Sequence, residues 1–367
     1  MYERQVLLKD APYEFLPLLD KCKKEKYISH NKVEKHTYNG KLRLRLTVKS
    51  PLHIGDLYQE FDNEGNVKKR QMQRNGVIVI PGSSLKGAVR SVAEAVSYSC
   101  AVNVPDPVLK DILPKGNRER CSPNDKELCI TCSTFGTIGN GSYKGKVNFG
   151  EFVLKEGKII MLELPSMESP FKNYPDYRRN KDLLPTKFQK WNSHCNYGNE
   201  RLYYCQACEK NDCQNCRKED YFRHIEQAGN GRELKFRGRK FYSTQREKDA
   251  KVNVKNNSEE QTSYEMIKPE SILEGEVIFQ NLREEEGRLL AYALNIGGHF
   301  NMKLGYGKPY GYGKVEVTLM DVENMGSGYL SGEKASKDLV ERWAEEYRDM
   351  TESKETLEMF EQMMSCR

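Results

Sequence analysis

Ile80-Pro81-Gly82-Ser83-Ser84-Leu85-Lys86-Gly87-Ala88-Val89-Arg90 joins the end of a short apolar run to the start of a helix, and the rest of the chain is ordered around that junction. Val77 to Ile80 reads as a buried strand and Pro81-Gly82 as the break. Ser83 or Ser84 is the expected N-cap of a helix whose apolar face is Leu85, Val89, Val92 and Val96. A helix start offers free backbone N–H groups and the positive end of the peptide dipole, and Lys86 and Arg90 add two cations, so the junction suits a phosphate. An ordinary capped helix with two solvated cations gives the same letters.

Working outward, Leu42, Leu44, Leu46 and Val48 alternate with Lys41, Arg43, Arg45, Thr47 and Lys49, which marks a strand with one core face and one basic face. Such a strand could belong to a nucleic-acid platform or to a solvated sheet. Residues 1–38 form an extended arm with one apolar anchor, Ala11 to Leu18. Residues 56–76 form a polar loop or hairpin, basic toward its end. Strands resume at Lys146 to Leu154 and Lys158 to Leu164, turning at Glu156-Gly157. Ile272 to Phe279 restarts the sheet, Arg288 to Ile296 reads as a helix, and Lys314 to Thr318 as a last strand. Residues 165–256 lack apolar periodicity and read as a metal-held insertion, whereas residues 333–367 read as an acidic C-terminal helix with Leu339, Trp343 and Tyr347 a turn apart. The order strand, helix, strand, strand, helix, strand predicts an α+β fold. Its core, residues 39–164 and 257–320, is a modified ferredoxin-like (RRM-like) unit with large insertions, one or two of them zinc-stabilised.

Composition narrows the function. The 367 residues are 37 % hydrophobic and 31 % charged, and no run approaches the roughly 20 apolar residues that span a bilayer. Met1 to Gln5 leads into no signal-peptide core, so the expected location is the cytoplasm. The net charge of +6 is uneven: from Glu333 to Arg367 six Lys/Arg face ten Asp/Glu, leaving −4 there and +10 on the rest. A basic body points to a polyanionic partner.

Eleven cysteines in a reducing compartment argue for metal ligation, and seven fall in two clusters. Cys205-x2-Cys208-x4-Cys213-x2-Cys216 offers two Cys-x-x-Cys hooks that close around a tetrahedral Zn²⁺ and fold a segment lacking a core. Cys121-x7-Cys129-x2-Cys132 supplies three ligands for a second Zn²⁺. Cys100, at the end of the helix that follows Pro81-Gly82, is the expected fourth, with His194 or Cys195 as the other choices; Cys22 and Cys366 read as incidental. Between Gly297 and Gly313, glycines let a backbone approach closely, Tyr306 and Tyr310 can stack on bases, and Lys303 and Lys308 can pair phosphates. A structural hairpin would also use such glycines.

These pieces, in order, resemble the repeat-associated RNA-binding (RAMP) proteins of CRISPR systems. The resemblance rests on Ala11 to Leu18, Ser50-Pro51-Leu52-His53-Ile54-Gly55 and Ile80 to Gly87 with Arg90. It continues through Cys129-x2-Cys132 running into Phe135-Gly136, Arg237-Gly238-Arg239-Lys240-Phe241-Tyr242 and Leu304 to Gly313. The chain looks like a backbone subunit of a type III or type III-derived effector complex. The resemblance implies a protein that binds guide RNA (crRNA), assembles with further copies of itself and with other effector subunits, and presents the guide to target RNA, with residues 56–76 as a thumb hairpin. It implies Ser83, Ser84, Lys86, Arg90, Lys303 and Lys308 as guide contacts with His53 close by, and brings Arg237, Arg239 and Lys240 into the RNA-binding set. Cleaving members use an aspartate in the loop after the first strand. Here Asp56 and Asp62 are the candidates, and Gln73-Arg74-Asn75 stands where an Asp-containing segment is expected before Gly76. The expectation is therefore a subunit that binds without cutting and leaves chemistry to a partner nuclease. The alternative is an endoribonuclease of the same superfamily that cuts target or repeat RNA, using those aspartates or His53 or His299.

Overall fold

In the computed structural model, residues 13–61, 67–101, 116–117, 121–139, 141–165, 203–205, 234–236, 238–242, 261–325, 333–349, 352 and 354–365 are described. The arm supplies β1 (Tyr13–Leu16) and β2 (Lys24–Lys26). The first long strand is β3 (Tyr38–Val48), followed by β4 (Gly55–Phe61), β5 (Val67–Gln71), β6 (Gln73–Arg74) and β7 (Val77–Ile80). Helix α1 (Gly82–Val96) then leads through β8 (Glu127–Cys129) and the short α2 (Ile130–Phe135) to the hairpin β9 (Gly136–Gly139) and β10 (Gly141–Lys144). Next come β11 (Val147–Phe149), β12 (Phe152–Glu156), β13 (Ile159–Pro165), β14 (Tyr203–Cys205), β15 (Leu234–Phe236), β16 (Arg239–Tyr242), β17 (Gln261–Ile267) and β18 (Ile272–Leu282). The chain finishes with α3 (Glu284–Ala293), β19 (Met302–Lys303), β20 (Lys314–Asn324), α4 (Lys337–Asp349) and α5 (Lys354–Met364).

Alternation in β3 buries Leu42, Leu44, Leu46 and Val48 on one face, and this strand sits near the middle of an eight-stranded sheet. The strand path is β19-β20-β3-β18-β12-β7-β6, with β11 also on β18, and its ladders are antiparallel. Helices α1 and α3 cover the apolar face, where Leu85, Val89, Val92 and Val96 meet the sheet as the sequence led us to expect. The fold is thus α+β, built on an antiparallel sheet with helices at the C-terminus. A smaller sheet, β13-β17-β5-β4, rises from the ends of β12 and β18 and holds the β4–β5 pair, whereas β6 pairs with β7 in the main sheet.

The basic face of β3 meets acid on both sides. Lys41 contacts Glu323 at 2.9 Å and Glu276 at 3.3 Å, Arg43 contacts Glu323 at 3.1 Å, Arg45 contacts Glu274 at 2.8 Å and Lys49 contacts Glu316 at 3.2 Å. Carboxylates from β18 and β20 match the cations rung by rung, so this face is an ion-pair ladder and not an open row of positive charge.

Among the boundaries that differ from expectation, three have a clear physical cause. Helix α1 starts at Gly82 with Pro81 in the cap position and no side-chain cap, so neither Ser83 nor Ser84 is the N-cap. The reason is packing: a Cβ on Gly82 would lie 2.0 Å from the Phe149 carbonyl oxygen, and the helix begins where β11 lets the backbone through. Helix α3 starts four residues before Arg288, at Glu284, because Glu286 accepts from the Arg283 N–H at 2.8 Å and closes the first turn. The acidic tail is a helix pair, not one helix. Trp343 and Tyr347 of α4 pack toward α3, whereas Phe360 of α5 meets Phe241 of β16 edge-on at 5.1 Å, and one straight rod cannot serve both. Gly287 gives α4 its close approach, since a Cβ there would come within 2.7 Å of the Trp343 ring.

Candidate metal centre and nucleic-acid interface

Four thiols expected to meet do so. The Sγ atoms of Cys100, Cys121, Cys129 and Cys132 lie within 4.8 Å of one another, and all four residues are buried. Cys100 follows the C-terminal end of α1, Cys129 ends β8 and caps α2, and Cys132 lies in the first turn of α2. The Cys129 N–H donates to Cys121 Sγ at 3.2 Å and the Cys132 N–H to Cys129 Sγ at 3.5 Å, bonds that favour thiolates. Hydrogen bonds shared among the four thiols, those with Cys100 foremost for Cys121 and Cys129, pull these two below the ordinary thiol value and push Cys100 and Cys132 above it. The Cys100–Cys132 and Cys129–Cys100 sulfur separations are 3.6 and 3.8 Å. Zinc–sulfur bonds of about 2.3 Å in a tetrahedron require sulfur pairs about 3.8 Å apart, so the donor set has the size and chemistry for one such ion. With an ion bound, four protein ligands would leave no open position, the arrangement of a fold-holding site.

One thiol read as incidental belongs here. Cys22 is half-buried, packs against the cluster and faces the thiols of Cys100, Cys121 and Cys129. Its isolation in the sequence hid it, because the arm is brought to the cluster by pairing of β2 with β8.

Two of the expected RNA-binding arginines brace this centre. Arg90 donates to Glu94 at 2.8 Å and to the Gly136 carbonyl at 2.9 Å, and its guanidinium lies 3.9 Å from Cys132 Sγ. Arg239 takes the other oxygen of Glu94 at 2.8 Å and the Cys100 carbonyl at 3.4 Å. Glu94, passed over in the sequence, thus ties the Pro-Gly-Ser-Ser helix to the Arg-Gly-Arg segment. Lys240 lies with its Nζ 4.8 Å from the centre of the Tyr242 ring.

At the start of α1, Ser83 and Gly87 are exposed, Ser84 and Lys86 are half-buried, and the first turn carries no acidic residue. Lys86 donates to the Val147 carbonyl at 3.4 Å; burial and the neighbouring Arg90 push its pKa down. A Cβ on Gly87 would meet nothing within 4 Å, so one helix face is smooth and open around Ser83 and Gly87.

The glycine run docks on Ser50 to Gly55. Tyr306 N–H donates to the His53 carbonyl and Gly313 N–H to the Pro51 carbonyl, each at 2.9 Å. A Cβ on Gly305 would lie 2.1 Å from the His53 oxygen, at a φ of +71°, so that glycine serves an internal contact. Tyr306 stacks on Tyr264 with centroids 4.7 Å apart, and Tyr310 and Tyr312 pack beside them. His53 is 4 % exposed, stands edge-on to Tyr264 and donates from Nδ1 to the Glu265 carbonyl at 2.7 Å. Burial pushes its pKa down, which keeps it neutral. Lys303 is buried and reaches the Lys308 carbonyl at 3.4 Å, whereas Lys308 is half-buried and its pKa is lowered by burial. His299 is buried against Tyr292, away from this cluster.

Asp56 opens β4 with its charge near His53. Asp62, Arg237, Cys208, Cys213 and Cys216 lie outside the described residues, and Cys205 is placed only by its backbone in β14. No described helix is long and apolar enough to cross a membrane.

No curated protein matches the chain. A family model described as the RAMP superfamily matches residues 45–316, which takes in the end of β3, α1, the four-cysteine cluster and the glycine run. The chain belongs to the RAMP superfamily of CRISPR-associated proteins.

Proposed function

We propose that this chain is a scaffold subunit of a CRISPR effector complex, holding guide RNA at the start of α1 and along the glycine run, with Zn²⁺ at the four cysteines bracing the α1 end. The observation that carries the reading is the state of Lys86 and Lys308. Both are half-buried, burial lowers the pKa of each, and neither has an ion-pair partner among the described residues. The cations of β3, by contrast, are matched to carboxylates. A buried amine kept from its counter-charge costs stability, and phosphate is the anion that the uncapped helix start and its open Ser83–Gly87 face accommodate. Tyr306 and Tyr310 would supply stacking beside Lys308. The core fits a ferredoxin-like unit, because β20, β3, β18 and β12 lie side by side in that order with α1 and α3 as the two crossovers.

Titration of single-stranded RNA at several salt concentrations tests this. Lys86→Glu and Lys308→Glu should each weaken binding about tenfold or more and lower the salt slope by about one. Unchanged affinity and slope in both variants would remove the basis of the reading.

A further inference from the structure

The metal centre holds one thiol more than a tetrahedral ion needs. Cys22 and Cys132 have the same three thiol neighbours, Cys100, Cys121 and Cys129. Cys22 falls outside the set of four within 4.8 Å yet packs against it, half-buried, which makes it a second candidate for one position. The two come from different parts of the chain. Cys132 lies in α2, while Cys22 lies in the arm, held just after it by Lys23 N–H donating to the Tyr98 carbonyl at 2.9 Å and by Lys24 pairing with Cys129. Cys22 N–H itself donates to the Gly116 carbonyl at 3.1 Å, which fixes the backbone from which its thiol reaches.

We propose that the site is an exchangeable-ligand centre: Cys100, Cys121 and Cys129 are common ligands of a zinc-type ion, and Cys132 and Cys22 alternate as the fourth. This rests on the cluster being a metal site. Exchange needs somewhere for the displaced charge to go, and Arg90 supplies it, with its guanidinium 3.9 Å from Cys132 Sγ. A Cys132 thiolate released from the ion keeps a cation beside it. When Cys22 enters, the arm is tied to the metal; when it leaves, the arm is held by strand pairing, backbone bonds and side-chain bonds such as Arg283 to Glu25 and Tyr143 to the Ile28 carbonyl. Cys22 gives its proton to solvent as it binds and takes one back as it leaves, so the ion keeps four thiolates in either state and no electron is transferred.

The test uses the full chain with Cys22→Ser, Cys132→Ser, the double variant and Cys100→Ser, measuring zinc per chain and the absorption of the Co²⁺-substituted protein. Cys22→Ser and Cys132→Ser should each keep one ion and a four-thiolate Co²⁺ spectrum, whereas the double variant drops to a three-thiolate spectrum or loses the ion, as does Cys100→Ser. A three-thiolate spectrum or metal loss in folded Cys132→Ser overturns the exchange while leaving the metal site standing. A wild-type chain that takes up neither ion overturns both. Should Cys132→Ser not fold, alkylation of zinc-loaded wild-type protein decides: labelling shared between Cys22 and Cys132 supports exchange, and labelling of Cys22 alone overturns it.

Discussion

Lys146 has no exposed side-chain surface, and its ammonium sits 2.6 and 2.7 Å from the two carboxylate oxygens of Glu286, which also accepts from Ser133. Removing one partner strands the other in the core. Lys146→Met should therefore cost about 3–5 kcal/mol of stability, measured by denaturant unfolding, and the double variant with Glu286→Leu should recover much of it. Lys86 is the opposite case, a half-buried cation whose pKa is pushed down by burial, with no carboxylate among the described residues to offset it. Its free amine deprotonates below the usual lysine value of about 10.4, while a bound phosphate favours the charged form. RNA binding should thus take up a proton on the alkaline side, and affinity should fall as pH rises through the lowered pKa. Lys86→Arg should hold affinity to a higher pH in the same titration. The cations were legible one by one in the sequence. Which were neutralised was not, because Glu274, Glu276, Glu316 and Glu323 reach β3 from strands far along the chain.

At the scale of elements, α1 shows what periodicity can and cannot specify. Its apolar face was readable because burial repeats with the helical turn, and Leu85, Val89, Val92 and Val96 are all buried. Its start was not, since Gly82 is placed by contact with the Phe149 backbone and no hydroxyl caps the helix. Gly87 is the residue at odds with the helix around it. Alanine there meets no neighbour and should stabilise the protein by about 0.8–1 kcal/mol, the ordinary helix-propensity difference. If RNA backs onto that face, the same Gly87→Ala change weakens binding. A thermal melt with an RNA titration would separate the two effects, and a variant more stable yet unimpaired in binding would argue against contact at Gly87.

Across the whole molecule, segments that look unrelated along the chain are brought together in pairs. Ser50 to Gly55 receives the glycine run, Cys100 joins Cys121, Cys129 and Cys132, and the arm pairs β1 with β16 and β2 with β8. Spacing alone exposed the cysteine hooks and the glycine run. It could not expose Cys22, Glu94 or Tyr264, which stand singly and acquire partners only through tertiary contact. The acidic tail likewise becomes two helices because α4 and α5 meet different surfaces of the core. The proposed function adds to this architecture that the basic body holds RNA through two separated lysines. The most direct measurement is the small RNA that co-purifies with the chain expressed beside its CRISPR array. The expected result is guide RNA bound to wild-type protein and lost from the folded Lys86→Glu, Lys308→Glu double variant. Guide RNA retained by that variant at the wild-type level would contradict the account.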